Sequence, residues 1–278
     1  MAIEIVTAEQ RRSAAHNKTS LAIFGPPGVG KTSLLHTLPA AYTLCIDIEA
    51  GMKSVQQWDG ASAPITDFRD FQDLVALIGG PDPALAPHQW YSQAHFNHAA
   101  QLYAGTAIEQ HVKSRPVLFV DSITDLTRIA MTFAQQQPEA FSEKTGKPDI
   151  RGAYGLLARE VIRSLKHLQR ARGKTVIFVG VLERVIDDYN RVAWLPQMEG
   201  SKAGRELPGI VDQVCSMQFF SRDENGVPLL DESASERLLV CRSGNPYGLP
   251  AKDRSGQLDV VEAPDLGALL TKINSPKT

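Results

Sequence analysis

Gly25-Pro26-Pro27-Gly28-Val29-Gly30-Lys31-Thr32 is the stretch that decides the fold. It fits the pattern G-x-x-x-x-G-K-[ST] at every fixed position. The apolar run Ser20-Leu21-Ala22-Ile23-Phe24 precedes it and reads as a strand. Ser33-Leu34-Leu35-His36-Thr37-Leu38 follows with helical spacing. Strand, glycine-rich turn and helix together give the pattern a physical meaning. Glycines let the loop curl until its backbone N–H groups converge on phosphate oxygens. The helix N-terminus adds partial positive charge. Gly25, Pro26, Pro27, Gly28, Val29, Gly30, Lys31, Thr32 and Ser33 are therefore expected to hold a nucleotide. Lys31 is placed to reach the β- and γ-phosphates, and Thr32 to bind Mg²⁺.

Two further strands end in acids. Tyr42-Thr43-Leu44-Cys45-Ile46-Asp47 is rich in β-formers and continues into Ile48-Glu49. Pro116-Val117-Leu118-Phe119-Val120-Asp121 is the clearest third strand. An acid at the end of such a strand can hold a magnesium shell, which is the role expected of Asp121. The bland alternative is a carboxylate that caps a strand. While the second strand persists, alternation puts Asp47 and Glu49 on one side. Glu49 is then the candidate base that orients and deprotonates water; a solvated loop acid is its bland reading.

Working outward, a helix is expected over 123–137, a turn-rich polar segment after it, an amphipathic helix from Leu156, and a fourth strand over 175–181. Continuous apolar strands alternating with helices point to a parallel sheet covered on both faces. Residues 51–115 read as a helical insert and 1–18 as an N-terminal extension of a single domain spanning 1–278. Beyond about residue 184 the strands shorten (VDQVCSMQFF, ERLLVCR), with a hairpin-like turn at Asp223-Glu224-Asn225-Gly226. They are expected to extend the sheet antiparallel.

Lys plus Arg is 29 and Asp plus Glu is 31, a net charge of −2, which argues against a generally basic nucleic-acid coat. Cys45, Cys215 and Cys241 are too few and too scattered for a disulfide scaffold or a four-cysteine zinc site, and read as small buried hydrophobes. His88, His95, His98 and His111 crowd the insert, where a polar helix face competes with a zinc reading. The N-terminus has no basic start followed by an apolar stretch, and no run approaches the ~18 apolar residues of a membrane span. The expectation is a cytoplasmic protein without membrane contact.

With these residues in place, the chain resembles RecA-type ATPases. Ile46-Asp47-Ile48-Glu49 is similar to the strand carrying the catalytic glutamate of that group. Val120-Asp121-Ser122-Ile123-Thr124-Asp125-Leu126 is similar to its magnesium strand, which ends in Asp-Ser where the AAA+ type ends in Asp-Glu. The tracts IDIEAGMKS, DSITDL, GAYGLLARE, GRELPGIVDQV and AKDRSG resemble phage RecA-like ATPases of the single-strand-annealing group over roughly residues 20–270. The resemblance implies a P-loop NTPase of the α/β class, with a RecA-like, mainly parallel sheet flanked by helices, a helical insert and C-terminal antiparallel strands. It implies ATP and Mg²⁺ as ligands, with Lys31, Thr32, Glu49 and Asp121 as phosphate ligand, magnesium ligand, catalytic base and metal-water ligand. Ser122 is implied to assist around magnesium. The RecA Asn-Gln pair that senses γ-phosphate is absent or replaced here, where the equivalent stretch reads Gly180-Val181-Leu182-Glu183-Arg184, and a core-only member without RecA's extra terminal domains is expected.

The resemblance also implies single-stranded DNA, a ring or filament of copies, a host-cell cytoplasm and a single-strand-binding protein as partner. Lys252 and Arg254 are then expected to act in trans on a neighbour's γ-phosphate; solvated surface cations are the bland reading. The two segments that match DNA-binding loops, 137–153 and 184–206, are each charge-neutral. Their basic residues are Lys144, Lys147 and Arg151 in the first, and Arg184, Arg191, Lys202 and Arg205 in the second. Neither is the electrostatic funnel of a strong single-strand binder. Tyr189 and Trp194 could stack bases, and Arg159 borders the first segment. The function expected is DNA-stimulated ATP hydrolysis in recombination or strand annealing. Two other classes fit the loop: an ATP-driven assembly module with negligible hydrolysis, and a P-loop kinase of small molecules.

Overall fold

The computed structural model describes residues 5, 7–10, 18–186, 190 and 192–275. The apolar run at its centre, β1 (Ser20–Gly25), is buried at every position. It pairs in parallel with β5 (Thr175–Ile186) on one side and β7 (Gln213–Arg222) on the other. Parallel pairing continues from β5 to β4 (Val117–Asp121), β2 (Thr43–Asp47) and β3 (Ala61–Pro64). On the far side of β7 the sheet turns antiparallel, with β9 (Glu236–Val240) and then β11 (Val261–Glu262). The short strands β6 (Val192–Pro196), β8 (Pro228–Leu230) and β10 (Lys252–Asp253) pair with β5, β7 and β7.

Both faces are covered, as continuous apolar strands require. Alternation sends Ala22, Phe24, Ile46, Val120 and Phe178 to one face. There they meet α1 (Phe68–Gly79), α4 (Ile123–Gln135) and α5 (Ile150–Gln169). Leu21, Ile23, Cys45, Phe119 and Ile177 point to the other face, against Leu34, Leu35 and α7 (Leu266–Ile273). The parallel strands thus bring their carboxyl ends to one edge, where ligands bind in open α/β sheets.

Several expectations change. The segment after the glycine-rich turn is a six-residue 3-10 helix, Thr32–Thr37, rather than an α-helix. Leu38 leaves it in extended conformation with Pro39 next, so no longer helix can form there. Within 51–115, Ala61–Pro64 adds a sheet strand to the expected helices. The long polar helix of the insert is two, α2 (Gln93–Leu102) and α3 (Ala107–Ser114), broken at Gly105 with φ 73°. The amphipathic helix α5 starts six residues earlier than its apolar pattern, because Asp149 caps it by accepting from the Arg151 and Gly152 amides. Strand β5 runs on to Ile186 and folds back as a hairpin with β6. Strand β7 joins in parallel, and only the strands beyond it are antiparallel.

Candidate nucleotide and metal site

The glycine-rich turn leaves β1 and encloses one wall of a cavity of about 740 Å³. Gly28 takes φ 79°, a conformation open to glycine at no steric cost. Val29 is fully buried in the second core cluster, so the loop is anchored by one apolar side chain while its backbone faces the cavity. Lys31 is only 7% exposed, and its Nζ donates to the carbonyls of Gly25 (3.0 Å) and Pro26 (2.9 Å). Burial pulls its pKa down, while Glu49 and Asp121 hold it up. The loop carbonyls thus hold the ammonium within the curl of the loop.

The ends of β2 and β4 are pinned together. The Asp121 carbonyl accepts from Ile48 N (2.6 Å) and Glu49 N (3.1 Å), which fixes where the chain leaves the sheet. Thr32 Oγ1 donates to Asp121 Oδ2 at 2.6 Å. The other carboxylate oxygen, Oδ1, is buried and has no partner among the described residues. Burial raises the Asp121 carboxyl to about 6, with Glu49 and Asp47 pushing the same way against Thr32 and Lys31. A hydroxyl and a carboxylate with a bare buried oxygen form an all-oxygen donor set, which suits a hard divalent cation such as Mg²⁺. Bound there, such an ion would neutralise phosphate charge.

Asp47 and Glu49 part company. The strand ends at Asp47, whose buried Oδ1 accepts from Gly51 N at 3.1 Å. Ala50 then adopts a left-handed conformation, φ 60°, and Glu49 is left exposed on the cavity wall, opposite the loop. It is free to meet water at the position expected of a base.

Ser122 opens the helix that follows Asp121. Its buried hydroxyl is the N-cap of α4, accepting from Asp125 N (3.2 Å) and donating to Asp125 Oδ2 (2.6 Å). The helix start thus takes its proton and one of its two lone pairs, which ties the hydroxyl to α4. Lys252 and Arg254 lie beside the beginning of β1, at the opposite end from the loop. Lys252 Nζ donates to the Pro208 (2.6 Å) and Val211 (2.7 Å) carbonyls, and Arg254 pairs with Asp212 at 3.0 Å.

The expected DNA residues are dispersed. Lys144 and Lys147 are exposed on a turn closed by the Phe141–Pro148 bridge, and Arg151 is exposed in the first turn of α5. Lys202 and Arg205 lie on a helix, α6 (Ser201–Ile210), rather than a loop. Arg191 and Tyr189 lie outside the described residues, and Trp194 is half-buried on β6 opposite Arg184. In the insert, both ring nitrogens of His95 are engaged, by Asp73 Oδ1 (2.7 Å) and Tyr91 N (2.8 Å).

Sequence reasoning missed other cavity residues: Lys53 and Ser54, Arg128, and Gln197. Gln197 arrives from the far end of the β5–β6 hairpin. Thr124 ties it in place, donating to the Gln197 carbonyl and accepting from Val181 N, both at 2.9 Å. No local pattern announces such a residue, because the hairpin's length decides where it lands.

Residues 17–255 match the family model for the AAA domain. The chain belongs to the AAA-domain family. The loop and Glu49 line one cavity at the carboxyl ends of the parallel strands, and Asp121 reaches it through its hydrogen bond with Thr32. A search of curated proteins gave no match. Among solved structures, an ATPase from the type III secretion system of pathogenic bacteria is similar at 17% identity and a TM-score of 0.37, over 78% of this chain. This chain spans 57% of that protein's length. The RadB recombinase is similar at 11% identity and a TM-score of 0.35, over 88% of this chain and 90% of its own. No helix among the described residues is long and apolar enough to cross a membrane.

Proposed function

We propose that this AAA-domain protein hydrolyses ATP with Mg²⁺ and couples hydrolysis to single-stranded DNA, in phage recombination or strand annealing. The observation that carries the ATPase part is one cavity lined by the loop, Lys31, Thr32 and Glu49, with Asp121 hydrogen-bonded behind Thr32. Thr32 and Asp121 would hold Mg²⁺, which supplies charge neutralisation at the β- and γ-phosphates. Lys31 exchanges its two loop carbonyls for phosphate oxygens. Glu49 takes the proton of the attacking water as the new P–O bond forms and the bond to ADP breaks.

A cationic groove supports the DNA part. On α5, Arg159, Arg163, Lys166 and Arg170 recur at i, i+4, i+7 and i+11, the spacing of one helix face. With Lys202 they line a second cavity of about 570 Å³, whose acids are Asp82 and Glu206. Glu139, Glu160 and Glu206 pair with Arg159, Arg163, Lys166 and Lys202, so a phosphate backbone would bind here by exchanging surface ion pairs against a small net positive charge. Within an assembly, Arg254 is the better trans candidate. It releases only one exposed ion pair, worth about 0–1 kcal/mol, whereas Lys252 must give up two carbonyls.

ATP turnover with and without a single-stranded oligonucleotide tests this reading. The expected result is faster turnover with DNA, and DNA binding that weakens steeply with salt. Turnover indifferent to DNA contradicts the DNA part and leaves the ATPase.

A further inference from the structure

Strand β9 delivers a cation to the phosphate loop that the chemistry above does not use. Ser216 of β7 lies beside Phe24 of β1, so Phe219 lies three residues further on, level with the loop. Arg237 of β9 pairs with Phe219. Its neighbour two positions on, Leu239, is buried in the core cluster that also holds Val29 of the loop. Alternation therefore aims Arg237 to the loop's face of the sheet. There the guanidinium rests on Gly30: a Cβ added at that glycine would collide with Arg237 Nη1, lie 3.6 Å from its Cζ, and lie 3.8 Å from Ser33 Oγ. Gly30 also takes φ 91°, a backbone conformation that favours glycine; the arginine tip itself is flexible and would yield to a Cβ.

Among the described residues, the guanidinium has no hydrogen bond and no ion pair. The acid adjacent on β9, Glu236, points to the other face and is held by Arg222 at 2.5 Å. An exposed arginine without a counter-charge thus stands beside Gly30 of the loop, outside the residues that line the cavity.

We propose that Arg237 is a nucleotide-binding residue contributed in cis: its guanidinium contacts the polyphosphate of a bound nucleoside di- or triphosphate on the Ser33 side of the loop. This role rests on the loop binding a nucleotide. Because the contact lies beside Gly30 and Ser33, it is shared by ADP and ATP, unlike a contact to the terminal phosphate.

The test is calorimetric titration of Mg-ADP and Mg-ATP into the wild type, Arg237→Ala and Arg237→Lys, at low and moderate salt. Losing a charge-assisted contact is expected to raise both dissociation constants about ten- to a hundredfold. Lysine is expected to restore part of the affinity, since it keeps the charge and loses the fork. The alanine variant is expected to show a shallower salt dependence than the wild type at an unchanged melting temperature, a readout that a merely structural role would not move. Wild-type affinity for both nucleotides in Arg237→Ala overturns the proposal. A loss confined to ATP overturns its placement on the Ser33 side. A wild type that binds neither nucleotide overturns the loop's own reading instead.

Discussion

Asp121→Asn is predicted to make the ligand-free protein more stable while removing its metal-dependent activity. Asp121 is 2% exposed, and one of its oxygens has no partner among the described residues. Moving its carboxyl from 3.8 to about 6 corresponds to a cost of about 3 kcal/mol for the charged form. The sign follows from proton counting. Between 3.8 and about 6 the folded protein holds the proton and the unfolded chain does not, so stability falls as pH rises through that window. Above it the whole cost is present. An amide carries no charge to desolvate, but its NH₂ inherits the place of the unpaired oxygen, a loss of about 1–3 kcal/mol. The net gain expected is therefore about 0–2 kcal/mol at pH 8. Urea unfolding without nucleotide or metal, at pH 5 and pH 8, measures it. The advantage of the variant is expected to shrink by about 1 kcal/mol at pH 5, where the wild type has recovered part of the cost. Adding Mg²⁺ and nucleotide is expected to stabilise the wild type more than the variant. A variant less stable than wild type at pH 8, with no pH dependence in the difference, would refute the reasoning, because Asp121 would then be a satisfied structural carboxylate.

Ser122→Ala removes the α4 cap and is expected to cost about 1 kcal/mol of stability, while the Mg²⁺ concentration for half-maximal turnover stays at the wild-type value. A large shift in that concentration would return Ser122 to the metal. Lys252→Ala strands the Pro208 and Val211 carbonyls and is expected to cost about 1–3 kcal/mol by urea unfolding. Arg254→Ala is expected to change stability by under about 1 kcal/mol and to lower turnover only at concentrations where copies associate, which a rate-versus-concentration series reads.

The parts of the fold that local chemistry dictates were legible in the sequence. Four core strands, β1, β2, β4 and β5, begin or end within a residue or two of the apolar runs that mark them, β5 excepted at its far end. The loop was legible because its spacing is set by phosphate geometry, and Asp121 because it ends an apolar strand. The capping role of Ser122 was also legible, since Ser122-x-x-Asp125 has the spacing of a helix start. The short strand β3 was invisible because Ala61–Pro64 has neither length nor β-branched residues, and only pairing with β2 makes it a strand. The same holds for contacts made by distant register. Arg237 meets Gly30, and Cys215 and Cys241 lie with sulfurs 3.4 Å apart, because β7 carries β9 alongside β1. No spacing within either tract announces those meetings.

The central claim is that the cavity hydrolyses ATP with Glu49 as base and Lys31 on the phosphates. Single-turnover hydrolysis of Mg-ATP by the wild type, Glu49→Gln and Lys31→Ala, with bound nucleotide measured in parallel, tests it most directly. Turnover by the wild type, ATP bound but uncleaved in Glu49→Gln, and nucleotide binding lost in Lys31→Ala are expected. Hydrolysis by Glu49→Gln at the wild-type rate would contradict it.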